Sequence, residues 1–332
     1  MSAPARFGRY RVERRIGSGS FATVWLAHDE VLDAPVAVKV LADNWAHRLD
    51  VRERFEEEAR ILRRADSDRV VRVHDIGELA DGRPYFVMTY ADRGTLADRL
   101  ADGPLPVPVA LRYGADVARG LAVLHEVGVI HRDVNPGNVL LRSDRAGVGD
   151  RVLVADLGLA KAAAQGSGFT LTVGTPGYMA PEQAAGSGVT KRTDVYAVGA
   201  LLWHLLTGAP PPVDRALPAA ELPPVVAAVL RQALARRPED RFPSAAALAD
   251  ALDAAAIQVV RTRPGPGRAR GDDDEATEVV RPDPARFARP PAAPPPPAAP
   301  PSRAAGPGAG PVAGSVAGPV GGPVGEVAAE PV

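Results

Sequence analysis

The run Ile130-His131-Arg132-Asp133-Val134-Asn135-Pro136-Gly137-Asn138-Val139-Leu140-Leu141, followed by Leu153-Val154-Ala155-Asp156-Leu157-Gly158, sets two carboxylates and a carboxamide in short polar breaks between apolar stretches. A carboxylate such as Asp133 can accept the proton of an attacking hydroxyl, and the side-chain oxygens of Asn138 and Asp156 are the hard ligands that magnesium prefers. Either string alone is what any polar loop looks like. Both together, in this order, point to phosphoryl transfer.

Upstream lie features that such chemistry needs. Gly17-Ser18-Gly19-Ser20-Phe21-Ala22-Thr23-Val24 joins two short β-type runs. Its glycines would let backbone amides approach phosphate oxygens that a side chain would block. A glycine turn in any hairpin gives the same string. It is no dinucleotide fingerprint, because strand and not helix follows, and no Gly-Lys-Ser/Thr closes it as a Walker A loop would. Val36-Ala37-Val38-Lys39 ends an apolar run on one of only three lysines in an arginine-rich chain, the others being Lys161 and Lys191. A cation just past the glycine loop can hold α- and β-phosphates and needs a carboxylate to orient it. Among the three adjacent glutamates of Phe55-Glu56-Glu57-Glu58-Ala59, Glu58 is the candidate.

Working outward, residues 10–91 read as strands around one helix. Tyr10 to Ile16, Thr23 to His28, Pro35 to Leu41, Val70 to Leu79 and Arg83 to Tyr90 have strand character. Arg52 to Arg64 spaces Phe55, Ala59 and Leu62 for one helical face, and Asp81-Gly82 signals a hairpin. Residues 92–257 read mainly as helix: Pro108 to Glu126, Asp194 to Leu206, Leu222 to Leu234 and Ser244 to Ala255, with Ser244 as an N-cap. A strand-rich part followed by a helix-rich part predicts an α+β fold of two lobes, 10–91 and 92–257. Residues 258–332 are rich in Pro, Gly and Ala and predict a disordered tail.

Composition narrows the alternatives. The chain has 332 residues, no cysteine and a net charge of −1. Thiolate metal sites and cysteine nucleophiles are therefore excluded, and no electrostatic footprint for nucleic acid is present. No apolar run reaches the roughly 18 residues of a membrane span, and Met1 to Phe7 has no signal-peptide core. The expectation is a cytoplasmic protein.

Read in order, these motifs resemble the eukaryotic-like (Hanks-type) protein kinase family, most closely its bacterial serine/threonine members, over roughly Tyr10 to Leu252. Gly174-Thr175-Pro176-Gly177-Tyr178-Met179-Ala180-Pro181-Glu182, Asp194-Val195-Tyr196 and Arg236 to Phe242 extend the match. The resemblance implies a two-lobed fold and transfer of the ATP γ-phosphate to Ser or Thr of protein substrates. Magnesium would be the metal, with manganese as an alternative. It further implies that Gly17, Ser18, Gly19, Ser20, Phe21 and Ala22 cover the phosphates, and that Lys39 pairs with Glu58. Asp133 would be the base, and Asn138 and Asp156 would hold metal. Ile16, Val24, Ala37 and Leu140 would enclose adenine. Met88 would stand as gatekeeper, with Thr89 to Ala91 as hinge, and Thr175 would lie beside Asp133. His131, Leu157 and Leu62 correspond to a regulatory stack, Glu182 and Arg241 to a buried ion pair, and Asp194 to the brace of the catalytic loop. Arg132 implies an activation-loop phosphate, expected on Thr170 or Thr172, with Ser167 nearby.

Four departures from the pattern stand out. Ala22 replaces the third glycine, Leu157 a phenylalanine, and Asn135 a lysine that stabilises γ-phosphate charge. The connection from Gly208 to Leu222 is short and Pro-rich. Asn135 predicts reduced turnover or compensation by another group. It is also the one support for the competing reading, a pseudokinase that binds nucleotide or partners without turnover. In the tail, Thr277 within Gly271 to Val280 is either part of a solvated acidic linker or a phosphosite for a phosphothreonine-binding domain.

Overall fold

A computed structural model describes residues 5–144, 149–158, 174–186, 188–212 and 222–262. Ser167, Thr170 and Thr172, the 213–221 part of the Pro-rich connection, and Thr277 with the whole tail beyond 262 lie outside the described residues.

The first element is a six-stranded antiparallel sheet. Its strands are β1 (Arg6–Phe7), β2 (Tyr10–Ser18), β3 (Ala22–Asp29), β4 (Ala34–Leu41), β5 (Val73–Glu78) and β6 (Pro84–Thr89), ordered β1-β2-β3-β4-β6-β5. Alternation along β4 decides what each face does. Val36, Val38 and Val40 pack with Phe7, Tyr10, Ala27, Tyr85 and Val87 in a small outer cluster. Ala37 and Leu41 join the main core with Phe86 and Met88, so Lys39 between them faces inward, its Nζ 5.5 Å from the Phe86 ring centre.

Helix α1 (Leu49–Arg64) packs its Val51, Phe55, Glu58, Ala59 and Leu62 stripe against this face. Asp50 in its first turn and Arg63 and Arg64 in its last complement the helix dipole. The apolar run predicted as one strand from Val70 to Leu79 divides in two. Val70 and Val71 pair instead with Val154, with Val71 N donating to Val154 O at 2.9 Å, and β5 begins only at Val73. The periodicity of an apolar run does not say which neighbour it pairs with.

The remaining elements are mainly helical: α2 (Leu96–Leu100), α3 (Val107–Glu126), α4 (Pro181–Ala184), α5 (Lys191–Thr207), α6 (Pro224–Ala233) and α7 (Ala245–Thr262). One two-stranded hairpin joins them, β7 (Val139–Ser143) with β8 (Asp150–Val154). Helix α5 is buried on every side, with Asp194, Val195, Val198, Ala200, Leu201 and Leu205 all inaccessible or nearly so. A capping box at Thr190 starts it three residues before the predicted Asp194, and Gly208 at φ 80° ends it. Helix α3 crosses both α5 and α7 at Gly114, where an added Cβ would touch Leu202 and Leu252 at 3.6 and 3.4 Å. The Ser244 cap is present, its Oγ accepting from Ala247 N at 3.1 Å. Helix α7 runs to Thr262 rather than Ala255. Its last two turns carry the β-branched Val259 and Val260, which have weak helical preference, and Pro264 is the nearest hard stop, since proline disfavours helix in the residue before it.

Gly120 is where α3 presses on the rest of the site. A Cβ there would sit 2.7 Å from Val154 Cγ2 and 2.8 Å from the Arg69 carbonyl oxygen. Gly120→Ala is expected to destabilise the protein by about 1–3 kcal/mol through overpacking against a backbone that cannot yield. A denaturant midpoint unchanged from wild type would refute this.

Candidate functional site

Lys39, inward on β4, and Glu58, inward on α1, meet at 2.7 Å between Nζ and Oε1. The same ammonium lies 3.2 Å from Asp156 Oδ1, two residues beyond the end of β8. Lys39 and Glu58 are 8% and 1% exposed, so the charges are screened little by water. Burial acts against the Lys39 ammonium, but the Asp156 and Glu58 carboxylates outweigh it and raise its pKa above the ordinary lysine value. Lysine is therefore a fixed cation here, with two carboxylates orienting it.

The catalytic-loop candidates are placed by Asp194 at the start of α5. Its buried carboxylate accepts from His131 N and Arg132 N, each at 2.9 Å, and lies 2.7 Å from His125 Nε2. Arg132 adopts φ 67° and Asp156 φ 59°, a left-handed backbone that costs a non-glycine residue about 1 kcal/mol or more. The Arg132 peptide is pinned on both sides, its N–H by Asp194 and its carbonyl by Gln183 Nε2 at 2.7 Å. His131 Nε2 sits 3.0 Å from the Ala155 carbonyl and so ties this loop to the one carrying Asp156. His131, Leu62 and Leu157 are each at most 1% exposed.

Around Asp133 the donors converge. Thr175 Oγ1 donates to Asp133 Oδ1 at 2.8 Å, and Asn138 Nδ2 lies 3.1 Å from Asp133 Oδ2 and 2.8 Å from its backbone oxygen. Asn135, expected only to lack a charge, has a definite task. Its Nδ2 lies 3.2 Å from Asp133 Oδ1 and 3.1 Å from Thr175 Oγ1, while its Oδ1 accepts from Gly137 N at 2.9 Å. That last bond caps the 3-10 turn Pro136–Asn138, which sets the direction of Asn138. No signal in the string distinguishes such an amide clamp from a simple loss of lysine.

A cavity of about 360 Å³ is lined by Ile16, Val24, Ala37, Met88, Thr89, Ala91 and Leu140 along with Lys39, Glu58, Asn138 and Asp156. A second, of about 300 Å³, lies under Gly17, Ser18, Gly19, Ser20, Phe21 and Ala22 and shares those same four polar residues. One apolar chamber thus opens onto one polar, glycine-roofed chamber. At Gly17 and Gly19 an added Cβ would come no closer than 3.6 Å to the protein, so packing within the fold does not demand glycine there. The space is left for something that approaches the backbone. Asp133 stands behind Asn138, its Cβ 3.4 Å from where a Gly158 Cβ would lie, and Gly158 lines the second chamber.

The donor set fits a hard divalent cation. Asn138 spends its NH₂ on Asp133, and among the described residues no donor reaches its Oδ1. A carboxamide oxygen beside the Asp156 carboxylate is a magnesium-type oxygen pair. Groups of three or more His, Cys, Asp or Glu arranged to hold a metal unaided are absent among the described residues, so further ligands would have to come from a phosphate substrate or water.

The segment carrying Thr175 is anchored from below. Arg241, 2% exposed, makes paired 2.7 Å bonds to both oxygens of Glu182, stacks 4.9 Å over the Tyr196 ring, and donates to the carbonyls of Arg192, Ala235 and Arg236.

One residue that sequence reading passes over also touches the site. Trp45, in the connection between β4 and α1, reaches the glycine loop; a lone tryptophan in a polar connection was the available signal.

Residues 10–245 match the protein kinase domain family. Serine/threonine-protein kinase PksC of Streptomyces coelicolor is 36% identical over 277 residues, covering 73% of this chain and 48% of that protein. Serine/threonine-protein kinase PknB of Mycobacterium leprae is 37% identical over 262 residues, covering 72% and 41%. The chain spans about half the length of these curated relatives or less. The crystal structure of the Mycobacterium tuberculosis PknI kinase domain is similar with a TM-score of 0.62 at 33% identity, covering 76% of this chain and 99% of that one.

The Glu182 carboxyl gives a pH test of this anchoring. Burial alone would raise its pKa, but hydrogen bonds from Arg241 and Thr193 hold it below the usual carboxylate value. A depressed folded pKa contributes stability above the unfolded value, about 4.3, that is lost as pH falls through the folded one. The stability gap between wild type and Glu182→Gln is therefore expected to be widest near neutral pH and to close below about pH 4. A gap independent of pH in urea titrations would contradict this.

Proposed function

The chain belongs to the protein kinase family, and from the geometry of its site we propose that it transfers the γ-phosphate of ATP to serine or threonine hydroxyls of protein substrates. Membership of the family implies ATP, a divalent metal and protein substrates. The observation that carries the proposal is the Lys39 ammonium set between Glu58 and Asp156 at the junction of the two chambers.

On this reading adenine occupies the apolar chamber between Ile16, Val24, Ala37 and Leu140, with Met88 at its back and the backbone of Thr89 to Ala91 along its edge. The amides of Gly17 to Ala22 cover the phosphates, and Lys39 holds them by charge. Asn138 and Asp156 would hold magnesium, or manganese, and the metal would supply neutralisation of phosphate charge. Asp133 receives the hydroxyl of the substrate and accepts its proton as the hydroxyl oxygen bonds to the γ-phosphorus and the bond from that phosphorus to the β–γ bridging oxygen breaks, with ADP as the leaving group. Thr175, Asn135 and Asn138 keep that carboxylate aimed. Positioning and fixed charge account for most of the acceleration.

The reading extends to regulation. A phosphate on Thr170 or Thr172 would find the exposed Arg132, which has no carboxylate partner among the described residues. A phosphorylated Thr277 would offer a phosphothreonine-binding domain a ligand. The proposed use of ATP supports a cytoplasmic site for the activity.

Incubation of purified protein with labelled ATP and a generic basic protein tests the central proposal. Wild type should label itself and the acceptor, and Asp133→Asn should lower labelling by about 100-fold or more. Equal labelling in both would sink the reading. Asn135→Ala should lower kcat by roughly 10- to 100-fold through loss of alignment, with a smaller rise in the KM for ATP, since the amide nitrogen acts on Asp133 and Thr175 and only the amide oxygen, through the Pro136–Asn138 turn, bears on Asn138. A selective rise in that KM would show Asn135 acting on nucleotide instead.

A further inference from the structure

We propose that Trp45 is a positioning residue that clasps the glycine loop over the phosphate chamber and ties the loop to helix α1. The indole stacks on Phe21 at the loop tip, with ring centres 5.0 Å apart and planes at 20°. Its Nε1 donates to the Ser20 carbonyl at 2.9 Å. From the same connection, Ala42 N donates to the Phe21 carbonyl at 2.9 Å. One short turn therefore holds two consecutive loop residues by a ring contact and two hydrogen bonds.

That turn is itself rigid. Trp45 N donates to Ala42 O and Arg48 N to Trp45 O, both at 3.0 Å, so hydrogen-bonded turns link the 3-10 turn Asp43–Trp45 to Arg48, the N-cap of α1. It begins two residues after the end of β4 and closes four residues before Leu49. The connection between the strand of Lys39 and the helix of Glu58 is thus the same piece of chain that grips the loop. If α1 withdraws and parts Glu58 from Lys39, Trp45 must move with it and the loop loses its hold. Simple packing of two half-buried rings would explain the stack. It would not explain why the one polar atom of the indole is spent on a loop carbonyl. Holding the loop in advance lowers the ordering cost of binding.

The proposal rests on the kinase reading only in its kinetic arm, so the test has two arms. In the full chain, Trp45→Leu should speed hydrogen exchange of the amides from Gly17 to Trp25 by about tenfold while exchange in α3 and α5 stays as in wild type. Trp45→Phe, which keeps the stack and loses the donor, should fall between. In the labelled-ATP assay, Trp45→Leu should raise the KM for ATP about three- to tenfold with kcat within about twofold. Unchanged loop exchange in Trp45→Leu would overturn the proposal, as would an increase spread evenly over the chain. If wild type transfers no phosphate, the kinase reading falls, and the exchange arm alone decides the clasp.

Discussion

A buried ammonium held by two carboxylates from different parts of the chain is the constraint around which everything else is arranged. Lys39 comes from a strand, Glu58 from a helix and Asp156 from a loop beyond the β7–β8 hairpin. Lys39 and Glu58 are costly to bury alone, and removing one partner from such a buried pair typically costs about 3–5 kcal/mol, whereas Asp156 is partly exposed and its charge is screened. The three elements are therefore held to one another by electrostatics as well as by apolar packing. The pair of chambers exists because they meet there. A loop of glycines roofs the polar chamber, and small and branched apolar side chains line the other.

A second buried carboxylate plays the corresponding part for the catalytic loop. Asp194, at the start of the most buried helix, fixes the peptides of His131 and Arg132 and allows Arg132 to keep a left-handed backbone. The strained residue immediately precedes Asp133, so the backbone that carries this carboxylate is fixed by the same two bonds. Thr175 reaches the same carboxylate from a segment held by Glu182 and Arg241. The surroundings of Asp133 are built on hydrogen bonds to fixed peptides, whereas those of Lys39 are built on charge.

Much of this was legible in the string because it rests on local spacing. The strand character of Val36 to Lys39, the helix around Phe55 and the two acidic loops all follow from periodicity and residue type. Even the choice among three glutamates can be read: Val51, Phe55, Glu58 and Leu62 share one helical face, whereas Glu56 and Glu57 pair with Arg60 at the surface. What was not legible depends on long-range pairing. Val70 and Val71 look like the start of β5 but bond to Val154, more than eighty residues away in sequence. The clamp made by Asn135 needs Thr175, forty residues distant. The extension of α7 to Thr262 lacks a strong local signal because only Pro264 marks its limit.

The alternation of β4 carries an implication for how this chain can vary. Val38 and Val40 belong to the outer cluster, and Lys39 between them faces the chambers. Inserting or deleting a single residue between Ala34 and Lys39 would exchange the two faces, presenting an ammonium to oil and a valine to the chambers. Length changes among descendants of this gene should therefore collect in turns such as Glu30 to Asp33 and never within that strand. A pairwise exchange of branched aliphatics there would pass almost unnoticed.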